Sequence, residues 1–187
     1  MVDLWGPAAT ELSGMSARHR VAFAAATVQR CAPGFTGLTR WRRADHEFFA
    51  ETVEFLWAMA AGGQVTGMST RRARLNRFRE MRKRRESGGK RFFVEQAVYL
   101  LDYALDTVEG DPEGVTNTIK AVLHMMDGFD QDLGESDNVD RELGHERQVL
   151  EWLRRSPALT VEDVVSLRRQ ASVDSEMVRA AVQRRRR

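Results

Sequence analysis

Two pairs of residues in this chain have the types and the spacing that bind metal ions in helical proteins. Glu142 and His145 form an E-x-x-H pair, the i, i+3 spacing that di-iron bundles use. His124 and Asp127 offer a second pair of a histidine and a carboxylate. A ferritin-like site, however, needs two E-x-x-H pairs and two further inward glutamates. Because Gly144 interrupts the single E-x-x-H pair and acidic residues surround it, the sequence predicts a solvated helix face, with no bound metal or other cofactor.

The remaining polar residues give little support to acid–base or nucleophilic catalysis. Of the four histidines, His19 and His46 sit at predicted helix starts, where a surface position is the simplest expectation. The single cysteine, Cys31, lies in an apolar helical pattern, which predicts a buried structural thiol. The sequence has no G-x-S-x-G motif, no Gly-rich phosphate loop and no Cys/His arrangement. We therefore expect that the protein is not an enzyme.

An Arg-rich segment, 69–91, carries eleven basic and two acidic residues, although the whole chain has a net charge of only +2. Such a segment could release counterions from nucleic-acid phosphates, but its only aromatic residue is Phe78, so no stacking platform is evident. Basic residues would surround any helix it forms, which predicts a marginal, exposed arm. Its possible contacts with nucleic acid or an acidic partner are Arg71, Arg72, Arg74, Arg77, Arg82, Lys83, Arg84 and Arg85.

Acidic residues elsewhere in the chain could neutralise this arm. The stretch from Asp127 to Glu146 contains eight acids and one arginine. It could pair with the arm within the molecule or across a dimer. This complementarity favours a solvated arm, docked partly on acidic neighbours, over a device that binds nucleic acid.

Tryptophans supply the candidates for a protein interface. Trp57 lies off the apolar stripe of its predicted helix, and Trp152 lies beside Leu153 but also off the main stripe. Aromatic side chains in such positions can anchor an interface, although many pack between helices instead. Trp57 and Trp152 are therefore possible interface residues, and core packing remains the alternative for both.

Apolar residues recur every three or four positions along most of the chain, which predicts an all-α fold. The expected architecture is a single-domain bundle of about six to seven helices, mostly antiparallel neighbours. Predicted helix starts follow Ser16, Asp45 and Thr160, and predicted stops fall at Pro33–Gly34, Gly62–Gly63 and Gly110.

The organisation along the chain is expected to be simple. Residues 1–15 form an N-terminal extension, residues 16–170 form the bundle with the basic arm 69–91, and residues 171–187 form a frayed, Arg-rich tail. No export signal and no apolar run of membrane-spanning length is evident. Together with one unpaired cysteine, this favours a cytoplasmic protein without membrane contact.

Four stretches of the sequence resemble the YjaG-like bacterial family of unknown function, which is all-helical. The first is "RVAFAAATVQRCAPGF" at 20–35, and the second is "FFAETVEFLWAM" at 48–59. The later ones are "ELGHERQVLEWL" at 142–153 and "VEDVVSLRRQ" at 161–170. The resemblance spans about residues 18 to 170, and within it Glu142 and Glu146 are matched positions whereas His145 is not.

Two features depart from that family's pattern. The family usually ends in a stretch like Ser-Asn-Ile-Gly, where this chain has "VDSEMVRAA", and its segment after the second helix is usually acidic or neutral rather than strongly basic. Because the family has no established activity, the resemblance implies a fold and no mechanism.

The sequence as a whole favours a non-enzymatic, macromolecule-binding bundle that acts on a protein partner or by self-association. Small bacterial bundles with opposed charge patches often act as adaptors or as immunity-type inhibitors, an analogy at the level of the fold. The alternatives are a nucleic-acid-associated protein that uses the basic arm and a metal-dependent bundle enzyme.

Overall fold

The computed structural model describes residues 6–39, 42–82, 88–134 and 137–186. Within these ranges the chain forms eight α-helices and no β-strand, so the all-α prediction is confirmed and the number of helices exceeds the expected six to seven. The antiparallel arrangement of neighbours stays a prediction. No helix in the described part of the chain is both long and apolar enough to cross a membrane. The helices are α1 (Gly6–Ser13), α2 (Ala17–Thr36), α3 (Arg43–Ala60), α4 (Met68–Leu75), α5 (Lys90–Glu109), α6 (Gly114–Leu133), α7 (Asn138–Arg155) and α8 (Val161–Arg186).

Helix α2 lies at the centre of the bundle and packs against α3, α5, α6, α7 and α8. Its residues 22–26 are fully buried, as expected for a helix that is apolar on every side. Four of these five residues are alanines, whose short side chains let the surrounding helices approach closely. Ser16 begins the helix as predicted, because its hydroxyl accepts a hydrogen bond from the His19 N–H.

The predicted stop at Pro33 and Gly34 is wrong, because α2 continues beyond both residues. Pro33 has no N–H to donate, but its carbonyl oxygen accepts a hydrogen bond from the Gly37 N–H at 2.8 Å. The last turn also buries Phe35, whose ring stacks on Phe49 of α3 with 4.9 Å between centroids. Tertiary packing therefore maintains the helix where local sequence signals predict its end.

The remaining predicted boundaries agree better with the structure. Helix α3 begins at Arg43, so Asp45 lies in its first turn instead of preceding it. Gly110 closes α5 with a φ of 88°, a left-handed conformation that glycine adopts without steric cost. Thr160 begins α8 as predicted: its hydroxyl accepts from the Asp163 N–H at 3.1 Å, and Asp163 accepts from the Thr160 N–H at 3.0 Å.

Helix α8 is much longer than the short helix and frayed tail that the sequence indicates. It runs without interruption through residue 170, the predicted end of the bundle. Beyond that point Val178, Ala181 and Val182 are buried, and α8 packs on α2 and α6. The N-terminal extension likewise contains α1, whose Leu12 is fully buried in contact with its neighbours. Both terminal segments thus contribute side chains to the core.

The Arg-rich segment also differs from the predicted exposed arm. Leu75 at the end of α4 is fully buried, and Phe78 is 4% exposed. The Phe78 ring lies 5.7 Å from that of Phe35 and 5.6 Å from that of Phe48. Two apolar side chains three residues apart therefore dock residues 68–82 on the aromatic part of the core. The predicted contacts Lys83, Arg84 and Arg85 lie outside the described residues.

Candidate functional site

A buried ion pair joins the middle of α2 to α7. Arg30 Nη2 lies 2.5 Å from Glu142 Oε1, and both side chains are completely buried. Arg30 Nε donates a second, longer bond to Glu142 Oε2 at 3.4 Å, and Nη2 also donates to Thr27 Oγ1 at 3.2 Å. The solvated helix face predicted for Glu142 is therefore wrong. The carboxylate lies in the core because the guanidinium supplies the opposite charge and the hydrogen bonds that burial requires.

A second glutamate shares this buried site. Glu146 lies one turn after Glu142 and is 2% exposed. Burial, and then the negative charge of Glu142, raise the pKa of Glu146 to about 8, against the attraction of Arg30. Glu146 therefore keeps its proton at neutral pH. We call Arg30, Glu142 and Glu146 the buried ion cluster.

The neighbouring thiol belongs to the same environment. Cys31 is buried, as predicted, and burial followed by the charge of Glu142 raises its pKa well above the ordinary value. Such a thiol stays protonated and unreactive at neutral pH. Sequence reasoning did not identify Arg30 as the partner of Glu142. The one signal was an arginine within a helical stretch whose neighbours are mostly small or apolar.

The residues first considered as metal ligands do not converge. His145 Nδ1 lies 3.3 Å from Asp174 Oδ2 of α8, whereas Glu142 is bound to Arg30. His124 is exposed, with its ring 4.9 Å from that of Phe92, and both line a cavity of about 200 Å³ beside Asp127. Across the described ranges, no group of three or more histidine, cysteine or carboxylate side chains could hold a metal ion.

The other two histidines are more enclosed than predicted. His19 is 6% exposed, and its Nε2 lies 2.8 Å from the Ser156 carbonyl oxygen at the end of α7. His46 is half-buried, with Nε2 2.8 Å from Thr39 Oγ1. The surface position expected for His19 is wrong, because the Ser156 carbonyl oxygen stabilises its ring away from water, whereas His46 remains partly exposed.

Three arginines predicted to contact a partner are used within the molecule. Arg72 forms ion pairs with three acids of α5. The guanidinium carbon of Arg71 lies 4.3 Å from the Phe55 ring centroid, and that of Arg74 lies 4.6 Å from the centroid of Phe48. These cation–π contacts and ion pairs hold α4 against α3 and α5.

The acids that neutralise α4 differ from those expected. Arg72 pairs with Asp102, Asp106 and Glu109, which follow one another at helical spacing on one face of α5. Arg74 pairs with Glu51 of α3. Burial raises the pKa of Asp102 even though Arg72 attracts its charged form. The predicted acidic stretch contributes Asp132 instead, which pairs with Arg185 of α8 at 2.8 Å.

The two Arg-rich parts of the chain meet at one end of the bundle. A Cβ atom placed on Gly89 would lie 3.5 Å from Arg185 Nη2, so the end of segment 69–91 adjoins the C-terminal turns of α8. Arg77, Arg79 and Arg82 are exposed and, in the part of the chain that the structure describes, pair with no carboxylate. Sequence reasoning named Arg77 and Arg82 but omitted Arg79.

The two candidate interface tryptophans have different environments. Trp57 is 3% exposed, and its indole N–H donates to Gln29 Oε1 at 2.5 Å, so it is a core residue and offers no surface to a partner. Trp152 is half-buried and lines an open cavity of about 410 Å³ where α7 meets α8. The lining residues are Gln148, Glu151, Trp152, Arg155, Ser156 and Asp163.

Apolar exposure is concentrated on α8. Four large apolar side chains of the described residues are at least half exposed, and three of them are on this helix. Val161 and Val165 are 55% and 51% exposed, and Val173 is 61% exposed. The fourth, Val65, precedes α4. The opposite face of α8 carries the buried side chains, so these valines face outward.

These observations define the class of the protein as an all-α bundle with a buried ion cluster, a docked basic segment and an outer helix that exposes three valines. No family model, no curated protein and no solved structure matches the chain. The resemblance to the YjaG-like family stays a prediction that these comparisons do not test.

Proposed function

We propose that this protein is a non-enzymatic module that binds a protein partner through the outer face of α8 and the adjoining tryptophan. We call Trp152, Val161, Val165 and Val173 the α8 surface. The observation that carries the proposal is that three of the four most exposed large apolar side chains lie on this one helix. Exposed apolar groups that are collected on one element, instead of scattered singly, are typical of interaction sites.

The character of the α8 surface supports a protein partner. Trp152 supplies a large amphipathic side chain beside an open cavity, a combination that is common in interface hot spots. Charged residues of both signs flank the α8 surface, among them Glu151, Arg155, Glu162 and Arg169. Mixed charges give no long-range attraction for a polyanion, but they form the polar rim that protein interfaces require.

The proposal also includes the cellular location of the protein and the type of role that it has. A cytoplasmic location and a role as an adaptor or immunity-type inhibitor agree with the fold class and with the resemblance to the YjaG-like family. Self-association through the same surface is the variant of this function in which the partner is a second copy.

The test is capture of partners from the source cells after chemical crosslinking, with nuclease present throughout. We expect specific proteins to be enriched by the wild-type chain and lost with V161D/V165D, because burying an aspartate against an apolar partner surface is strongly unfavourable. W152A should weaken the same capture. The matched control is V65D, since Val65 is 56% exposed and lies outside the α8 surface.

Equal recovery by the wild type, V161D/V165D and V65D would contradict the proposal. Circular dichroism of each variant distinguishes lost binding from lost folding, and V161D/V165D and V65D are expected to keep the wild-type spectrum because the replaced valines are at least half exposed. If the wild-type chain captures further copies of itself and V161D/V165D does not, the partner is a second copy of the chain.

A further inference from the structure

A second surface, separate from the exposed valines of α8, lies beside α5. Arg72 binds near the C-terminal end of α5, and the segment reaches Gly89 at the N-terminal end. Between them, the Phe78 ring packs against Phe35 and Phe48, and Glu80 is 4% exposed. The described parts of the basic segment therefore meet α5 near both of its ends.

The structure separates the basic residues of this segment into two groups. Arg71, Arg72 and Arg74 are bound to rings and carboxylates of the bundle. Glu80, an acid within the segment, is neutralised by Arg42, whose Nη1 lies 2.7 Å from Glu80 Oε1. Acidic groups of the segment and of α5 are thus largely matched by these internal pairs. The second group faces solvent.

Four members of the solvent-facing group are described by the structure. Arg77, Arg79, Arg82 and Lys90 are exposed, and α8 approaches Gly89 through Arg185. Asp132 lies nearby, but it forms an ion pair with Arg185. Its negative charge therefore offsets only part of the positive charge of the exposed side chains. We call Arg77, Arg79, Arg82 and Lys90 the basic track.

We propose that the basic track binds the phosphate backbone of a nucleic-acid duplex. Phosphates recur at short, regular intervals along a duplex, and guanidinium groups bind phosphate oxygens through paired hydrogen bonds. Three of its members, Arg77, Arg79 and Arg82, lie within six consecutive residues, so neighbouring side chains could contact successive phosphates.

The aromatic side chains favour a duplex over a single strand. Phe78 and Phe93 beneath the track are buried, and Phe92 is half-buried against His124. Single-strand binders stack bases on exposed aromatic rings, and none of these rings is fully exposed. Backbone contacts without stacking or base readout give binding that is independent of sequence.

The test measures fluorescence anisotropy of a labelled duplex of about 20 base pairs with the full chain, over a series of salt concentrations. Wild-type binding should weaken steeply with salt, since each phosphate contact contributes about 0.9 to the slope of log K against log salt. R77Q/R79Q should lower that slope by roughly 1.8 and weaken binding by about tenfold or more at low salt. R77K/R79K keeps both charges and should largely restore binding.

The matched control is R147Q/R169Q, which removes the same charge from exposed arginines of α7 and α8 outside the track. It should leave the slope unchanged. Absence of duplex binding at low salt, or equal loss in both double variants, would overturn the proposal. Tighter binding of a single strand than of the duplex would overturn it as well. Displacement of the duplex by an acidic polypeptide of equal charge would also overturn it, because the partner would then be an acidic protein.

Discussion

Arg30 of α2 and Glu142 of α7 are 112 residues apart in sequence and form an ion pair with no solvent exposure on either side chain. Each charge needs the other, because an isolated ion in the protein interior is far less stable than the same ion in water. The pair therefore defines how α7 sits on the central helix.

Removing one partner of this pair should strongly destabilise the protein. We expect R30M or E142L to reduce the free energy of unfolding by about 3–5 kcal/mol, because the remaining charge is buried without compensation. The double variant R30M/E142L should be more stable than either single variant, since both charges are then absent. Urea denaturation of the four proteins measures the effect.

The exposed pair Arg43–Glu47 provides the control for that experiment. Its side chains are 92% and 57% exposed, and E47Q should change stability by less than about 0.5 kcal/mol. Additive losses in R30M/E142L would show that the two residues act independently, which contradicts the ion pair.

Glu146 should make stability depend on pH. Its ordinary pKa of 4.5 applies to the unfolded chain, and its pKa in the folded protein is about 8. Between these values the folded state holds a proton that the unfolded state has released, so stability falls as pH rises. The unfolding equilibrium constant should increase about tenfold per pH unit in this window and level off above pH 8.

The variant E146Q isolates this contribution, because glutamine stays neutral at every pH and has almost the same shape. Denaturant titrations from pH 5 to 9 should show wild-type stability falling relative to E146Q up to about pH 8. A constant difference between the two proteins across the range would show that Glu146 does not titrate as described.

Arg72 should keep α4 docked on α5. R72Q removes three ion pairs whose arginine side chain is only 19% exposed. With charge-assisted hydrogen bonds contributing about 1.5–3 kcal/mol each, amide exchange across 68–82 should accelerate by at least about tenfold. Hydrogen–deuterium exchange resolved by peptide measures this opening, and α2 should stay protected.

R77Q is the matched control for Arg72, because Arg77 belongs to the same segment and is exposed. It should leave exchange of 68–82 close to the wild-type rate. Similar acceleration in both variants would mean that net charge, and not the contacts of Arg72, holds the segment in place.

Two glycine-to-alanine substitutions should change the stability of the protein in opposite directions. A Cβ on Gly114 would lie 2.6 Å from the backbone nitrogen of Thr107, so G114A forces α5 and α6 apart and should cost about 1–3 kcal/mol. A Cβ on Gly144 meets nothing within 4 Å, and G144A should stabilise α7 by about 0.5–1 kcal/mol. Thermal denaturation compares them, and a stabilised G114A would contradict the close approach of the helices.

Local sequence determined the all-α class, the start of α2 at Ser16, the start of α8 at Thr160 and the end of α5 at Gly110. Apolar periodicity and capping side chains act within a few residues, so these features are legible from the chain alone. It also indicated that Cys31 is buried, because a thiol in an apolar helical pattern faces the core.

Tertiary structure decided which charged residues are internal. Glu142 and Glu146 have the spacing of a solvated helix face, and only the approach of Arg30 from α2 makes their burial favourable. Arg72 and Arg77 look alike in sequence, yet one meets three carboxylates of α5 and the other meets water. The energy of a charge depends on what lies within a few ångströms of it, and for these residues those neighbours come from distant parts of the chain.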